Sequence, residues 1–346
     1  MKLNQAQQAA IKHVYEYGQA YLIGAMGSGK TAIALHAIKE LIHDDHVKRA
    51  LVVAPLKVCE QIWCQESAKW HTGLTIQCAI GKPQVRQRVL DDARIQVVVI
   101  NFENLAWLFQ HDGARHFDML VLDEVTKLKA GGAGFKALRK HIKSFNTRLV
   151  MSATPVEESW EGLFYPFMAV DNGAALGRNK QTFMQTYFIS DYSGYKWTLQ
   201  PGAAKRIFAK VEANIILLPD YRHELPDLCE THIKLRMPPD AEAQYKAMQR
   251  DFLLTGVTAV NAAVMTGKLQ QIACGFVYGD DGNTQQIHLD KLDALTDLLQ
   301  GLPDSKIVIV YQFEEEIRRL RELLSDAELT QDIGVWKCST IPYLAI

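Results

Sequence analysis

Residues 19–31 read QAYLIGAMGSGKT, an apolar run that turns into a glycine-rich segment closed by Lys-Thr. Gly24, Gly29, Lys30 and Thr31 satisfy the spacing G-x-x-x-x-G-K-[ST]. The preceding run predicts a strand, and the following TAIALHAIKEL predicts a helix. That context predicts a phosphate cradle over Gly24, Ala25, Met26, Gly27, Ser28, Gly29, Lys30 and Thr31. Its glycines let backbone N–H groups turn inward, and the helix N-terminus adds a favourable dipole for an anion. Lys30 would neutralise phosphate charge and Thr31 would offer its hydroxyl to Mg²⁺.

Outward from this loop the pattern repeats. AYLIG, ALVVAP, LTIQCAI, IQVVVIN, DMLVLDE and TRLVMSATP are Val-, Ile- and Leu-rich runs separated by helical patterns such as KVCEQIWCQESAKW and FKALRKHIKSF. Continuous apolar runs suit strands buried on both faces of a parallel sheet. The rhythm predicts an α/β fold with a doubly wound parallel sheet over 1–170. From 171 to 285 helical patterns alternate with a proline-punctuated extended stretch, NIILLPDYRHELPDLCETHIKLRM. From 286 to 346 an α, β, α order resumes, as at the start of a second α/β domain.

Composition sets bounds. With 346 residues, 48% of them hydrophobic, the chain can build two or three modules with real cores. A formal net charge of −1 gives no global basic field, so any nucleic-acid contact must be local. The six cysteines form no C-x-x-C pair, which points to reduced thiols rather than a zinc site. HDDH at His43–His46 reads as polar loop rather than metal ligands. No run approaches the ~18 apolar residues of a membrane span and MKLNQAQQAAIKH has no apolar signal core, so a cytoplasmic protein is expected.

A phosphate site that breaks its ligand needs acids at the end of a later strand. FDMLVLDE supplies Asp123 and Glu124 after four apolar residues. Asp123 would hold Mg²⁺ through water, while Glu124 would orient or deprotonate the attacking water. The pairing points to nucleoside triphosphate hydrolysis.

The order of Gln7 in LNQAQQAAI, GAMGSGKT, VVAPLKVCEQIWCQESAKW, VVVINFENL, DEVTKLK and MSATPVEESWEGLF resembles superfamily-two helicases. More narrowly it resembles their Swi/Snf-like branch of DNA-translocating ATPases, bacterial and phage members included. Pro55, Leu56, Trp63 and Trp70 match that branch's Pro-Leu segment and tryptophan-spaced helix, although both tryptophans read as core. The resemblance implies RecA-like domains, ATP and Mg²⁺ as ligands, and sequence-independent contact with duplex DNA, in a bacterial or phage-infected cell. It implies that Gln7 recognises adenine and that Ser152, Ala153 and Thr154 link the γ-phosphate site to the DNA track. It implies DNA contacts by Pro55, Leu56, Lys57, Asn101 and Phe102. Lys136, Arg139, Lys140, Lys143 and Arg148 form a basic concentration that reads equally as a solvated helix face. Thr126 stands where many relatives carry His, and Arg222 stands where they carry an arginine pair.

In that family a second domain supplies an arginine from a Q-x-x-G-R-x-x-R motif, and no such motif occurs from Lys306 to Ile346. Arg318, Arg319 and Arg321 belong to EEEIRRLRELL, which reads as a salt-bridged exposed face with Glu314, Glu315, Glu316 and Glu322. The expectation is a partial second RecA-like domain, a separate polypeptide that could complete it, and, as an alternative to a motor, an ATP- and DNA-binding module with little turnover.

Overall fold

The computed structural model describes residues 2–110, 116–127, 132–153, 160–192, 196–219, 229–254, 259–279, 282–302 and 305–346. The chain divides into two compact units, Met1–Asp227 and Leu228–Ile346.

In the first unit the six apolar runs become strands: β1 (Gln19–Ile23), β2 (Ala50–Ala54), β3 (Ile76–Cys78), β4 (Val97–Asn101), β5 (Met119–Asp123) and β6 (Thr147–Ser152). A hairpin of β7 (Phe188–Ser190) with β8 (Trp197–Leu199) is followed by β9 (Ile215–Leu217). The main sheet is ordered β3-β4-β2-β5-β6-β1-β9. All its pairings are parallel. The sequence anticipates six of these seven strands, while β9 lies in the stretch that reads as merely extended.

Alternation along each strand feeds two separate cores, as the period of two requires. Ala20, Leu22, Val52, Val99, Val121 and Leu149 face one side, covered by helices α1 (Gln5–Tyr17), α2 (Lys30–His43), Leu56–Gln61 and Trp63–Lys69. Tyr21, Ile23, Leu51, Val98, Leu120 and Val150 face the other, under helices that include Leu105–Gln110, Ala133–His141 and Phe164–Asp171. The single helix expected across KVCEQIWCQESAKW is broken at Ile62, whose φ is −102°. Among the basic residues grouped with the Ala133–His141 helix, Arg148 is instead a buried residue of β6 whose Nη1 donates to Ile142 O at 3.3 Å.

The second unit holds helices Pro239–Leu254 and Ala259–Ala273 and an antiparallel pair, β10 (Phe276–Tyr278) with β11 (Thr284–Gln286). Strands β12 (Ile307–Ile309), β13 (Leu329–Thr330) and β14 (Tyr343–Ala345) form a parallel sheet ordered β12-β14-β13. Leu299, Ile309, Ile317, Leu320, Leu329 and Tyr343 make its core. The helix Glu314–Leu323 departs from the exposed charged face expected of it. Glu315 and Arg319 are 4% and 6% exposed and paired at 3.0 Å, with Arg319 also over the Phe276 ring. An i,i+4 charge pattern is the same on a wet or a covered face, so packing decided it.

Candidate functional site

A parallel sheet ends all its strands at one edge, and loops there converge. The register of β6 sets the geometry: Ser152 lies beside Ile23 of β1, and Met151 beside Asp123 of β5. Gly24, Asp123, Glu124 and Ser152 are therefore neighbours although they stand far apart in the sequence. Gly24 N–H donates to Ser152 O at 3.2 Å.

The loop from Gly24 to Gly29 needs its glycines for different reasons. Gly27 and Gly29 have φ of +79° and +86°, the left-handed region. A Cβ on Gly29 would also sit 2.3 Å from Gln7 Nε2. At Gly24 the constraint is space, since a Cβ there would lie 2.7 Å from Ser28 Oγ and 2.9 Å from Leu218 Cδ1. Lys30, the first residue of α2, folds its ammonium back onto Gly24 O at 2.6 Å and Ala25 O at 3.0 Å. Burial lowers its pKa against the opposing pull of Glu124 and Asp123. Thr31 follows at half-buried depth in the first turn, and Met26 is fully exposed at the loop tip.

Gln7 reaches this loop from α1. Asn4 and Gln7 form a capping box, Gln7 N–H donating to Asn4 Oδ1 at 2.8 Å and Asn4 N–H to Gln7 Oε1 at 3.0 Å. The side-chain amide of Gln7 donates to Ser28 O at 3.1 Å.

Across the loop, Asp123 is 9% exposed and its Oδ2 accepts from Trp63 Nε1 at 3.0 Å. Burial pushes its carboxyl up to about 6, while the Trp63 bond and the Lys30 charge pull the other way. Glu124 has left-handed φ, +62°. Its Oε1 accepts from Thr126 Oγ1 at 2.5 Å and from Ser152 Oγ at 3.4 Å. Thr126, expected to stand where many members of the resembled family carry His, thus supplies a hydrogen bond of its own. The Ser152 hydroxyl also meets Tyr21, whose phenol burial raises to about 12.

The donor set fits a magnesium-bound triphosphate. A lysine ammonium, the free N–H groups of a helix first turn, a threonine hydroxyl and two carboxylates converge on one edge. Ser28 Oγ is buried without a hydrogen-bond partner inside the loop. Thr31 and Asp123 would hold the metal, and the loop residues Gly24 to Thr31 the phosphates. Among the described residues no group of three or more His, Cys, Asp or Glu side chains could hold a metal by itself.

The residues expected to meet DNA lie on the same edge with unequal access. Pro55 caps the helix Leu56–Gln61, and Leu56 and Lys57 are exposed. Asn101 and Phe102 are buried, and Asn101 Nδ2 donates to Glu103 Oε2 at 2.6 Å. Ala153 is half-buried beside Ser152. Thr154 and Arg222 lie outside the described residues.

Three contributors escape a reading of the sequence. Trp63 reads as core, Tyr21 as a plain strand residue, and Leu218, which closes on Gly24, as extended chain. Tyr21 and Trp63 carry a weak signal, since a buried phenol or indole N–H must find a partner, but neither signal says which.

Residues 4–161 match the DEAD/DEAH box helicase family. Protein p41 of Acyrthosiphon pisum secondary endosymbiont phage 1 is 29% identical over 334 residues, 91% of this chain and 73% of its own length. The mouse SWI/SNF-related matrix-associated actin-dependent regulator of chromatin subfamily A member 1 is 25% identical over 156 residues, 44% of this chain and 15% of that protein. Among solved structures, the Sulfolobus solfataricus SWI2/SNF2 ATPase core in complex with dsDNA aligns with a TM-score of 0.55 at 18% identity, covering 100% of this chain and 78% of its own. The Sulfolobus solfataricus SWI2/SNF2 ATPase core domain aligns with a TM-score of 0.50 at 17% identity, covering 100% of this chain and 76% of its own. None of these likenesses supports a separate completing polypeptide. Among the described residues, no helix is long and apolar enough to cross a membrane.

Proposed function

We propose that this chain, whose residues 4–161 match the DEAD/DEAH box helicase family, is an ATP- and Mg²⁺-dependent motor of Swi/Snf-like type that couples hydrolysis to sequence-independent binding of duplex DNA. The observation that carries this reading is the convergence of Lys30, Asp123, Glu124 and Ser152 on the edge that holds the glycine loop.

In this reading the loop N–H groups and Lys30 bind and orient the phosphates, with Lys30 released from Gly24 O and Ala25 O. Mg²⁺ held by Thr31 and Asp123 would supply neutralisation of charge developing between the β- and γ-phosphates. Glu124 keeps Oε1 on Thr126 and Ser152 and uses Oε2 to orient the attacking water and take its proton. Gln7, fixed on Ser28 O, reads the adenine edge. Ser152 and Ala153 relay the state of the γ-phosphate toward the DNA track. Leu56 and Lys57 give that track an exposed face. Asn101 and Phe102 contribute through backbone, since their side chains are buried. Contacts of this sort touch phosphates, so binding is salt-sensitive and indifferent to sequence. The setting we infer is a bacterial or phage-infected cell, given the phage relative.

A second reading, nucleotide and DNA binding with slow turnover, is favoured by the arginines of the second unit. Arg318 pairs with Glu315 and Glu322, Arg319 with Glu315, and Arg321 donates to Gln331. All three are engaged within their own unit, and in most phosphoryl-transfer motors an arginine in reach of the phosphate supplies much of the rate.

Measuring ATP binding and hydrolysis of the purified chain, with and without duplex DNA, tests both. DNA-stimulated turnover abolished by Lys30→Ala supports the motor. Binding of ATP and DNA without stimulation supports the second reading. Failure to bind ATP, or ATP binding indifferent to Lys30→Ala, refutes the site.

A further inference from the structure

Trp63 is fully buried in the core that also holds Ala54, Cys59, Val99 and Val121. Packing does not account for its ring nitrogen. Nε1 donates to Asp123 Oδ2 at 3.0 Å, and both partners are buried, so the bond is made where water cannot substitute for it. We propose that Trp63 is a positioning residue for the metal: its indole N–H takes one oxygen of Asp123 and so turns the other toward the Mg²⁺ side of the loop. This inference rests on the nucleotide-site reading above.

The torsion that turns a carboxylate about its last bond is broad and nearly two-fold, so Asp123 does not fix its own oxygens. An indole that fills a core cannot turn, because its ring is clamped on all sides. Here the clamp has three parts. The helix Leu56–Gln61 stops at Ile62, and Trp63 opens the next helix, so the ring leaves the chain at a bend rather than mid-helix. Cys59, one turn earlier, donates its thiol to Ala54 O at 3.4 Å and ties the first helix to β2. Strand β2 in turn pairs with β5, Val53 beside Leu122, one residue before Asp123. Trp63 and Asp123 are therefore held by two neighbouring strands of one rigid sheet. Groups behind a ligand that orient it in this way typically change metal affinity by about 10- to 100-fold when removed.

The test compares wild type, Trp63→Phe and a protein with benzothienylalanine at position 63, which keeps the bicyclic shape and lacks the donor. Binding of a fluorescent ADP analogue is measured without Mg²⁺ and across a Mg²⁺ titration. The expected result is a Mg²⁺ half-saturation about tenfold higher in both variants, with metal-free nucleotide affinity within about twofold of wild type. Damage to the fold would lower both affinities together and so overturn the inference for that variant. In an Asp123→Asn background the benzothienylalanine exchange is expected to change nothing further. Unchanged Mg²⁺ dependence in the benzothienylalanine protein overturns the inference and leaves the nucleotide site standing. Equal loss in the Asp123→Asn background overturns it as well. A wild-type chain that binds no nucleotide overturns the inference and the site reading together.

Discussion

Replacing Asp123 by Asn is expected to stabilise the ligand-free protein at neutral pH while removing its response to magnesium. Burial holds the Asp123 carboxyl at about 6 against an ordinary value of 3.8. The two values differ by roughly two units, and at 1.36 kcal/mol per unit the ionised side chain costs the folded state about 3 kcal/mol. Between these two values the folded protein holds a proton that the unfolded chain has released. The cost is thus nearly complete above pH ~6, shrinks as pH falls from ~6 to ~4 and is gone by about pH 3. Asn keeps an oxygen for Trp63 Nε1 and discards the charge. Urea unfolding of wild type and Asp123→Asn at about pH 8, 5 and 3 should give a gain near 3 kcal/mol, roughly half of it and none, since all other titrating groups are common to both. A gain that is the same at every pH, or a loss at the highest pH, would refute the claim that buried charge is what Asp123 costs.

Three further expectations follow from the same contacts. Gly29→Ala forces a left-handed backbone on alanine, about 1–2 kcal/mol, and drives a methyl into Gln7 Nε2. Nucleotide affinity should fall at least ~10-fold on a fluorescence titration, whereas alanine at Met26, exposed at the loop tip, should cost little. Gln7→Ala removes the capping box for about 1 kcal/mol and also frees Ser28 O, so competition binding should show ATP and GTP becoming equivalent. Arg319→Ala takes the covered guanidinium from Glu315 while Arg318 stays on it, and should destabilise the second unit by about 1–3 kcal/mol. Arg318→Ala leaves Arg319 on Glu315 and removes the half-exposed pairs, so it should cost less, about 1 kcal/mol. If Arg319→Ala instead left the unit folded and lowered only kcat, Arg319 would be acting on phosphate.

What the sequence disclosed follows from how much each signal depends on context. Strands β1, β2, β4, β5 and β6 were legible because a strand covered on both faces tolerates almost no polar residue, and the short edge strand β3 was legible from its place in the same βαβ rhythm. Strand β9, as short and as marginal as β3, was not, because it lies beyond that rhythm in a proline-punctuated stretch. Gly24 to Thr31 was legible because its constraints are local, a matter of φ and space. Trp63 was not, because a tryptophan that packs and a tryptophan that also donates to a carboxylate are spelled identically. Glu315 and Arg319 show the same limit: the i,i+4 pairing was right and the covered surface beneath it was invisible.

The energetics of this edge favour a ligand independently of any likeness. Among the described residues four non-glycine residues have positive φ: Asp45, His71, Glu124 and Asn172. Asp, His and Asn are types that tolerate that region, and Glu is not among them. Glu124 therefore holds strain that its neighbours must impose, at the strand end where Asp123 also holds a buried charge. Opposite them, Ser28 carries the one hydroxyl found buried and unpartnered among the described residues, and Lys30 commits its ammonium to the loop's own carbonyls. A free protein gains nothing from the strain, the buried charge or the unpartnered hydroxyl. A magnesium-bound triphosphate would pair the charge of Asp123, take the Lys30 ammonium and give Ser28 Oγ an acceptor. The local costs fall on the residues that such a ligand would relieve, which is what a folded chain retains when binding rather than stability has set those positions.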